Sequence, residues 1–230
     1  MGPLKPAIAL LAACSLLTAC GGSSSDGPTD ITKSAAEPAG AATAPATTGA
    51  NGCLEGDLPI VTAKSYSKPP AAPAGTKLTM DTSCGTIVFT LDKHLGGPVT
   101  DAVAGLAADG FYDGLSLFRV VPDFVIQGGD TANDGSGDVG FTTVKAPPSS
   151  YVYKLGDLAM AKTDADPRGT GGSQFFIISG AAGEQLKPDY AVVGHTSDPD
   201  SLKTIARIAS LGVTDGPPSQ PVWIVKATVS

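Results

Sequence analysis

Apolar and polar residues alternate along much of the chain after residue 75, as in β-strands that bury one face. The alternation runs on both sides of the turn 82–85 and predicts a hairpin of strands 76–81 and 86–92. Further strands are predicted at residues 116–121, 125–128, 153–162, 175–179, 191–195 and 222–229. This part of the chain is therefore expected to be mainly β-structure.

Two segments have helical spacing instead. Apolar residues recur every three or four positions in 99–109, which ends at Gly110, and in 197–211, which ends at Gly212. A strand-rich chain with two isolated helices favours a closed antiparallel barrel whose openings the helices cover. Because a small barrel is filled by its own side chains, a substrate site is expected on its outside.

The first 19 residues have the features of a bacterial signal peptide. An apolar run, 7–17, follows Lys5 and is too short to span a bilayer. It ends in Leu-Thr-Ala-Cys, which resembles the lipobox of bacterial lipoproteins and implies that Cys20 carries a diacylglycerol thioether and usually an amide-linked acyl chain. The similar stretch ending at Cys14 is an alternative that leaves a shorter apolar core. An ordinary secretory signal with an unmodified Cys20 is another.

Composition divides the following residues. Residues 20–51 are mostly Gly, Ser, Ala, Thr and Pro, which bury too little surface to offset the entropy of ordering, so we expect a flexible tether. Residues 52–75 form a Pro-rich arm, and residues 76–230 form the domain. In an exported protein, Cys53 and Cys84 suggest a disulfide that pins the arm to the first hairpin. Two separate buried thiols are the alternative.

The charged residues argue against several partners. With a formal net charge of −7 and 15 Lys+Arg, the chain shows no basic face for phosphate groups, so no nucleic-acid partner is expected. His94 and His195 are far apart in sequence and have no ligand-like spacing to a cysteine or to each other. We therefore predict no metal site and no cofactor.

Two segments carry the candidate chemistry, Phe118 to Asp130 (FRVVPDFVIQGGD) and Gly172 to Ile177 (GSQFFI). Alternation places Arg119 and Gln127 where they can meet on adjacent strands. It also places Gln174 and Phe176 on one face of a further strand. A guanidinium, two amides and aromatic rings are thus expected on one surface.

These segments resemble the signature of the cyclophilin family of peptidyl-prolyl isomerases, in which phenylalanine-histidine-arginine, phenylalanine and glutamine-glycine-glycine-aspartate precede glycine-serine-glutamine-phenylalanine-phenylalanine. The stretches 111–114 (FYDG) and 158–161 (LAMA) follow the family's order and spacing, and the resemblance runs from about residue 77 to 229. It implies a mainly β fold: a closed eight-stranded antiparallel barrel capped by two helices. It also implies isomerisation of X-Pro bonds in a groove on the outer face.

The resemblance further implies roles for individual residues. Arg119 and Gln127 occupy catalytic positions, with the arginine as donor to the prolyl nitrogen and the glutamine as the group that orients it. The implied substrate contacts are Phe124, Val125, Gln174, Phe176, Leu186, Tyr190 and Lys162.

Three residues depart from the family's pattern. Lys162 stands where asparagine or alanine is usual, and we expect it to bias substrate choice or to compete with Arg119. Gln185 stands where many members have a tryptophan that binds cyclosporin, so weak cyclosporin binding is expected. Phe118 replaces a common histidine and is expected to leave the pocket apolar.

The predicted function is that of a monomeric, lipid-anchored isomerase on the extracytoplasmic face of a bacterial cell membrane. It would act on proline-containing polypeptides and assist the folding of exported or cell-surface proteins. Lys162 and Phe118 keep open the alternative of a catalytically weak chaperone or proline-peptide binding module. A serine hydrolase is disfavoured because the residues around Ser173 lack the nucleophile-elbow spacing.

Overall fold

The computed structural model describes residues 47–230. The predicted signal peptide, Cys20 and most of the predicted tether lie outside the described residues. Within residues 47–230 the strands are β1 (Thr47–Thr48), β2 (Leu54–Glu55), β3 (Lys77–Thr82), β4 (Gly85–Leu91), β5 (Arg119–Val121), β6 (Val125–Gly128), β7 (Thr143–Val144), β8 (Asp157–Met160), β9 (Thr170–Gly171), β10 (Phe175–Ile178), β11 (Val192–His195) and β12 (Ile224–Val229). The helices of the same range are α1 (Lys93–Gly96), α2 (Pro98–Ala108), α3 (Ala181–Glu184) and α4 (Pro199–Ala209).

Eight strands form one antiparallel sheet in the order β12-β3-β4-β11-β8-β10-β6-β5. The tight turn after Thr82 pairs β3 with β4 as the predicted hairpin. The two longer helices, α2 and α4, each have 11 residues and correspond to the two predicted helices. The predicted eight-stranded, mainly β architecture with two helices is confirmed.

The barrel, however, is open rather than closed. Its two end strands, β5 and β12, do not pair with each other along their length. The segment before β5, residues 114–117, instead bonds Val222 and Ile224 at the start of β12 and forms one bridge, between Ser116 and Trp223. The free edge of β5 is occupied by another segment, since the Val120 amide donates to the Gly216 carbonyl at 3.0 Å and the Val213 amide donates to the Val120 carbonyl at 3.1 Å. This segment takes the hydrogen bonds that a ladder to β12 would need.

The inner face of the curled sheet buries the main core. Phe89, Ile126 and Phe175 are each fully buried there. Helix α4 adds Ile205 and Ile208 from its apolar face. The core thus lies between the sheet and its helices and leaves the outer face for a site.

The Pro-rich arm is fixed to the domain at several points. The structure joins Cys53 to Cys84 in a disulfide, so the predicted pair exists at the turn of the first hairpin. Further along the arm, the Tyr66 hydroxyl donates to the Asp109 carboxylate at 2.6 Å. Thr47 and Thr48, within the predicted tether, pair with Leu54–Glu55 as a short hairpin. Residues 47–51, the last part of the predicted tether, thus include a β-strand.

None of the helices within residues 47–230 is long and apolar enough to cross a membrane.

Candidate active site

The strand register places the predicted site residues in one row on the outer face of the sheet. Arg119 on β5 lies directly opposite Gln127 on β6, and Gln127 lies directly opposite Phe176 on β10. In each strand the neighbouring residue points the other way: Val120 and Phe175 are fully buried in the inner core. The row arises because the turn 122–124 reverses the chain after β5 and fixes the register of β6.

This row forms one side of an apolar pocket of about 260 Å³. We call this cavity the apolar pocket; its lining residues are Arg119, Phe124, Val125, Gln127, Ala161, Lys162, Phe176, Leu186 and Tyr190. The structure thus gathers every predicted catalytic and substrate-contact residue except Gln174 in this pocket. Ala161 is the one lining residue for which the sequence predicted no role in the site.

Aromatic rings and a buried hydroxyl shape the part of the apolar pocket next to Phe176. The ring of Phe176 meets that of Tyr190 edge-on, with centroids 5.2 Å apart. The fully buried Tyr153 holds the Tyr190 backbone from behind: its hydroxyl donates to the Tyr190 carbonyl at 2.7 Å and accepts from the Tyr190 amide at 3.0 Å. Partial burial, together with the negative charges of Asp164 and Asp189, raises the pKa of Tyr190, so its phenol stays neutral at physiological pH.

A chain of hydrogen bonds links the polar groups along the groove. Arg119 Nη1 donates to Gln127 Oε1 at 3.4 Å, Gln127 Nε2 to Gln174 Oε1 at 3.3 Å, and Gln174 Nε2 to Asp130 Oδ1 at 3.0 Å. Each amide accepts on one side and donates on the other, so the chain runs in one direction from the guanidinium to a carboxylate. Gln174 therefore sits next to the apolar pocket and is connected to it through Gln127.

Asp130 organises the loop at the end of this chain. Its carboxylate is fully buried and accepts backbone amide hydrogens from residues 132, 134, 135 and 137. A carboxylate with this many donors is held firmly and can in turn hold the amide of Gln174. From the sequence, Asp130 was predicted only to end the motif of residues 118–130, and its contact with Gln174 was not predicted.

Arg119 has contacts on three sides. Nε donates to Asp215 Oδ1 at 2.7 Å, Nη1 reaches Gln127, and the guanidinium carbon lies 5.9 Å from the centroid of the Phe124 ring. The arginine side chain is 30% exposed, so it lies at the rim of the pocket. Asp215 was not predicted, because it is 96 residues away in sequence and belongs to no motif of the pattern.

Lys162 places a second positive charge beside the pocket, as predicted. Its ammonium lies 5.5 Å from the centroid of the Tyr190 ring and donates to the Thr163 carbonyl at 3.0 Å. Lys162 also lines an adjoining cavity of about 470 Å³, which we call the polar hollow. The polar hollow shares Gln127 and Ala161 with the apolar pocket and adds, among others, Asp138, Asp166 and Gln174. Because the two cavities share these lining residues, they adjoin and together form one groove.

The other departures from the pattern lie outside the apolar pocket. Phe118 lines a different cavity with Pro217 and Pro218, so the residue that replaces the histidine is not part of the apolar pocket. Gln185 is not among the lining residues, although its neighbour Leu186 is. Ser173 is buried, and neither His94 nor His195 lines the apolar pocket. Within residues 47–230, no group of three His, Cys, Asp or Glu side chains is arranged to hold a metal ion.

The fold and site together define a class of protein: a curled antiparallel sheet that presents an arginine beside an apolar pocket in an open groove. A family model described as cyclophilin type peptidyl-prolyl cis-trans isomerase/CLD matches residues 77–229. The chain therefore belongs to the cyclophilin-type peptidyl-prolyl cis-trans isomerases, enzymes that interconvert the cis and trans forms of X-Pro peptide bonds. The match contains every residue of the apolar pocket and leaves the arm outside.

Curated relatives agree with this assignment. The probable peptidyl-prolyl cis-trans isomerase A of Mycobacterium leprae is 38% identical over 149 residues, which are 64% of this chain and 74% of that protein. A peptidyl-prolyl cis-trans isomerase of Synechococcus elongatus is 35% identical over 131 residues, or 56% of this chain and 86% of that protein.

Solved structures agree on the fold. A cyclophilin type peptidyl-prolyl cis-trans isomerase from Cryptosporidium parvum superposes with a TM-score of 0.60 at 23% identity, covering 68% of this chain and 98% of that chain. A second crystal structure of that protein, obtained in the presence of the dipeptide Ala-Pro, gives a TM-score of 0.58 at 24% identity, covering 67% of this chain and 98% of that chain.

Proposed function

We propose that the chain is a lipid-anchored isomerase that acts on X-Pro bonds of exported or cell-surface proteins and assists their folding. The observation that carries the assignment of the chemistry is the guanidinium of Arg119 at the rim of an apolar pocket that Phe176 and Tyr190 also line. A proline ring needs an apolar pocket, and the bond that precedes it needs a donor close by. The groove offers both within one cavity.

The reaction needs no bond to break. Rotation about an X-Pro bond is slow because amide resonance opposes it, with a barrier of about 18 to 20 kcal/mol. In the twisted transition state the prolyl nitrogen regains its lone pair and accepts a hydrogen bond, which it cannot do in either planar form. A donor that bonds only the twisted form lowers the barrier, because it stabilises the transition state more than the ground state.

In this proposal Arg119 supplies that donor, since its guanidinium is always charged and presents several N–H groups. Gln127 orients the guanidinium and contacts the substrate backbone, and Gln174 offers an amide to the same peptide. The proline ring packs on the apolar residues of the pocket, Phe124, Val125, Phe176, Leu186 and Tyr190. Burial of the ring holds one side of the bond while the carbonyl on the other side turns.

The proposed location depends on the N-terminal sequence. Cys20 in its lipobox-like context would fix the chain to the extracytoplasmic face of a bacterial membrane, with residues 21–46 as part of the tether. The disulfide between Cys53 and Cys84 supports export, because disulfides persist in oxidising compartments. Mass spectrometry of the chain extracted from membranes tests this step: a Cys20 diacylglycerol adduct is expected, and it should be lost in Cys20→Ser together with membrane retention. An unmodified, released wild-type chain would refute the anchor.

The isomerase assignment is tested by exchange NMR on an Ala-Pro peptide with the purified full chain. We expect acceleration by the wild type and a loss of about 10² to 10³ in kcat/KM for Arg119→Ala, the range seen when a transition-state donor is removed. Arg207→Ala is the matched control, because Arg207 bonds the Cys84 carbonyl and does not line the groove. Equal rates for wild type and Arg119→Ala would contradict the assigned role.

A second candidate function is a binding module that holds proline-containing segments without efficient turnover. The position of Lys162 favours it, because its ammonium lies over the Tyr190 ring at the pocket, where it would attract a bound peptide equally in the ground and transition states. Peptide-induced shifts at the groove without acceleration would support this function. Lys162→Ala would then weaken binding and leave the rate unchanged.

A further inference from the structure

The strongest unassigned feature of the site is Asp215, which lies in the segment between α4 and β12. We call residues 210–223 the 210–223 loop. We propose that Asp215 is a positioning residue for the isomerase: it binds Nε of the Arg119 guanidinium and so sets the direction of the terminal N–H groups at the rim of the apolar pocket. This inference rests on the proposed role of Arg119.

The contact geometry supports a positioning role. Asp215 Oδ1 accepts from Nε at 2.7 Å, while Gln127 Oε1 accepts from Nη1 and the Phe124 ring lies under the guanidinium carbon. Within residues 47–230, the hydrogen bonds of the Arg119 side chain use only Nε and Nη1. The Nη2 group is thus left for a substrate. A carboxylate bonded to Nε restricts the rotation of the guanidinium, and Asp215 makes this contact without a hydrogen bond to either terminal nitrogen.

The loop is built to hold Asp215 in place. Residues on both sides of it bond the edge of β5: Val213 donates to the Val120 carbonyl at 3.1 Å, and Gly216 accepts from the Val120 amide at 3.0 Å. Val120 directly follows Arg119 in the chain. The same strand therefore carries the arginine and anchors the segment that holds its partner, so the relative position of the two groups is set by backbone bonds.

The other end of the loop is tied to the arm. Gln220 accepts from Asn51 Nδ2 at 2.7 Å and donates to the Leu54 carbonyl at 3.0 Å, on either side of Cys53. The Ser219 amide also donates to the Leu211 carbonyl at 2.8 Å, which closes the loop on itself. The path of the loop is thus fixed by bonds to β5, by the bond within the loop between Ser219 and Leu211, and by the bonds of Gln220 to Asn51 and Leu54.

The size of the expected effect follows from exposure. The side chain of Asp215 is 70% exposed and that of Arg119 is 30% exposed, so water screens the pair. Pairs of this kind change rates modestly, and we expect Asp215→Ala to lower kcat about two- to fivefold. KM should change less. The Asp215–Arg119 pair orients a donor for the twisted transition state, and in this proposal the pair does not contact the proline ring of the substrate.

The test compares Asp215→Ala, Asp215→Asn and Asp200→Ala in the full chain with an Ala-Pro peptide. Asp200 is a matched control, since it forms a surface pair with Lys203 and its side chain is 87% exposed. The expected order of kcat is wild type, then Asp215→Asn, then Asp215→Ala, with Asp200→Ala equal to wild type. The Arg119 Nε–Hε resonance should shift in both Asp215 variants and stay in place in Asp200→Ala.

A double variant separates positioning from a structural effect. In the Arg119→Ala background, Asp215→Ala should cause no further loss, because its effect acts through the arginine. An additional loss there, an unchanged or higher kcat for Asp215→Ala alone, or an unmoved Nε–Hε resonance would each overturn the inference. If Arg119→Ala itself retains full activity, the proposed role of Arg119 is wrong, and the inference about Asp215 is wrong with it. A normal kcat for Asp215→Ala with an inactive Arg119→Ala overturns only the role of Asp215.

Discussion

The two faces of the sheet bury similar apolar residues, but the inner face forms the core and the outer face borders the groove. The four residues of strand β10 show both cases. Phe175 and Ile177 enter the inner core, whereas Phe176 and Ile178 join a smaller outer cluster beside the apolar pocket. All four are at most 5% exposed. The inner face is closed by the rest of the sheet and by helices, whereas the outer face stays open to solvent along one side of the pocket.

Neighbouring residues of one strand therefore have different roles: one contributes to stability alone, and the next contributes to the site as well. Side chains of the inner face of β10 point away from the apolar pocket, so a change there should mainly alter the free energy of unfolding. Residues of the outer face also touch the groove, so a change there should alter kcat or KM as well. The following substitutions test this separation from the largest expected effect to the smallest.

The largest difference is expected between Phe175→Ala and Phe176→Ala. Removing the fully buried Phe175 ring should lower the free energy of unfolding by about 3 to 5 kcal/mol and leave kcat/KM of the folded fraction nearly unchanged. Removing Phe176 should cost less stability, because its ring borders a cavity, but should lower kcat/KM at least about tenfold. Urea unfolding and peptide exchange NMR measure the two quantities. Equal profiles for the two variants would break the distinction between the faces.

The disulfide tests the inner face at a distance from the groove, since both of its cysteines belong to the inner core. The double substitution of Cys53 and Cys84 by Ala should reduce the free energy of unfolding by about 3 to 4 kcal/mol, because the bond closes a loop with a sequence separation of 31. Isomerase activity well below Tm should be unchanged. Treatment with a thiol reductant should reproduce the effect in the wild type and do nothing to the double variant.

Two buried tyrosines offer a matched pair for hydroxyl removal. Tyr112 on the inner side donates to the Ser173 carbonyl at 3.2 Å, whereas Tyr153 on the outer side bonds both backbone groups of Tyr190. Each Tyr→Phe change should cost about 1 to 3 kcal/mol for the backbone groups left unpaired. Only Tyr153→Phe should also raise KM, because the wall of the pocket loses its support. An unaltered KM in Tyr153→Phe would show that the wall holds without it.

The smallest effect is expected at Asp157, a buried carboxyl on the outer side of β8 that accepts from the Tyr151 hydroxyl at 2.8 Å. Burial raises its pKa above the unfolded value. Its protonated form therefore adds stability that is complete below the unfolded pKa of about 3.9 and is lost as pH rises through the folded pKa. Asp157→Asn, which never ionises, should gain Tm relative to wild type as pH rises from 4 to 8.

Asp166 supplies a control of opposite sign. Hydrogen bonds from the Thr163 side chain and backbone lower the pKa of this carboxyl, so its ionised form adds stability above the unfolded pKa and loses it as pH falls. Asp166→Asn should therefore lower Tm at neutral pH and have little effect in acid. If both variants shift Tm in the same direction with pH, the assigned environments are wrong.

How far the sequence could predict the molecule differs between its parts. Alternation predicted seven of the eight strands of the large sheet to within three residues at each end, and strand 125–128 matches the observed Val125–Gly128. The predicted strand 153–162 is shorter in the structure, Asp157–Met160, because the chain before it leaves the sheet to place Tyr151 and Tyr153 behind the groove. Alternation could not show this, since apolar side chains are favourable in both settings.

The site residues also differ in how far the sequence could predict their contacts. Arg119 meets Gln127 because a short turn joins their strands, and the local pattern of residues 118–130 is enough to determine that contact. Residues 1–46, including Cys20, lie outside the described structure, and the lipid anchor remains a prediction. The sequence by itself thus determined the strand order around the motif, the face on which the arginine lies and the family of the enzyme.

Only the tertiary structure decided the open barrel, the support of Tyr190 by Tyr153 and the pairing of Arg119 with Asp215. The last two contacts join residues 37 and 96 positions apart. Each depends on the path of a loop, and loop paths are fixed by backbone hydrogen bonds to sheet edges and to the arm, which leave no periodic trace in the sequence. Local patterns of polarity set which side of a strand is buried, whereas the meeting of distant segments is set by how the whole sheet curls.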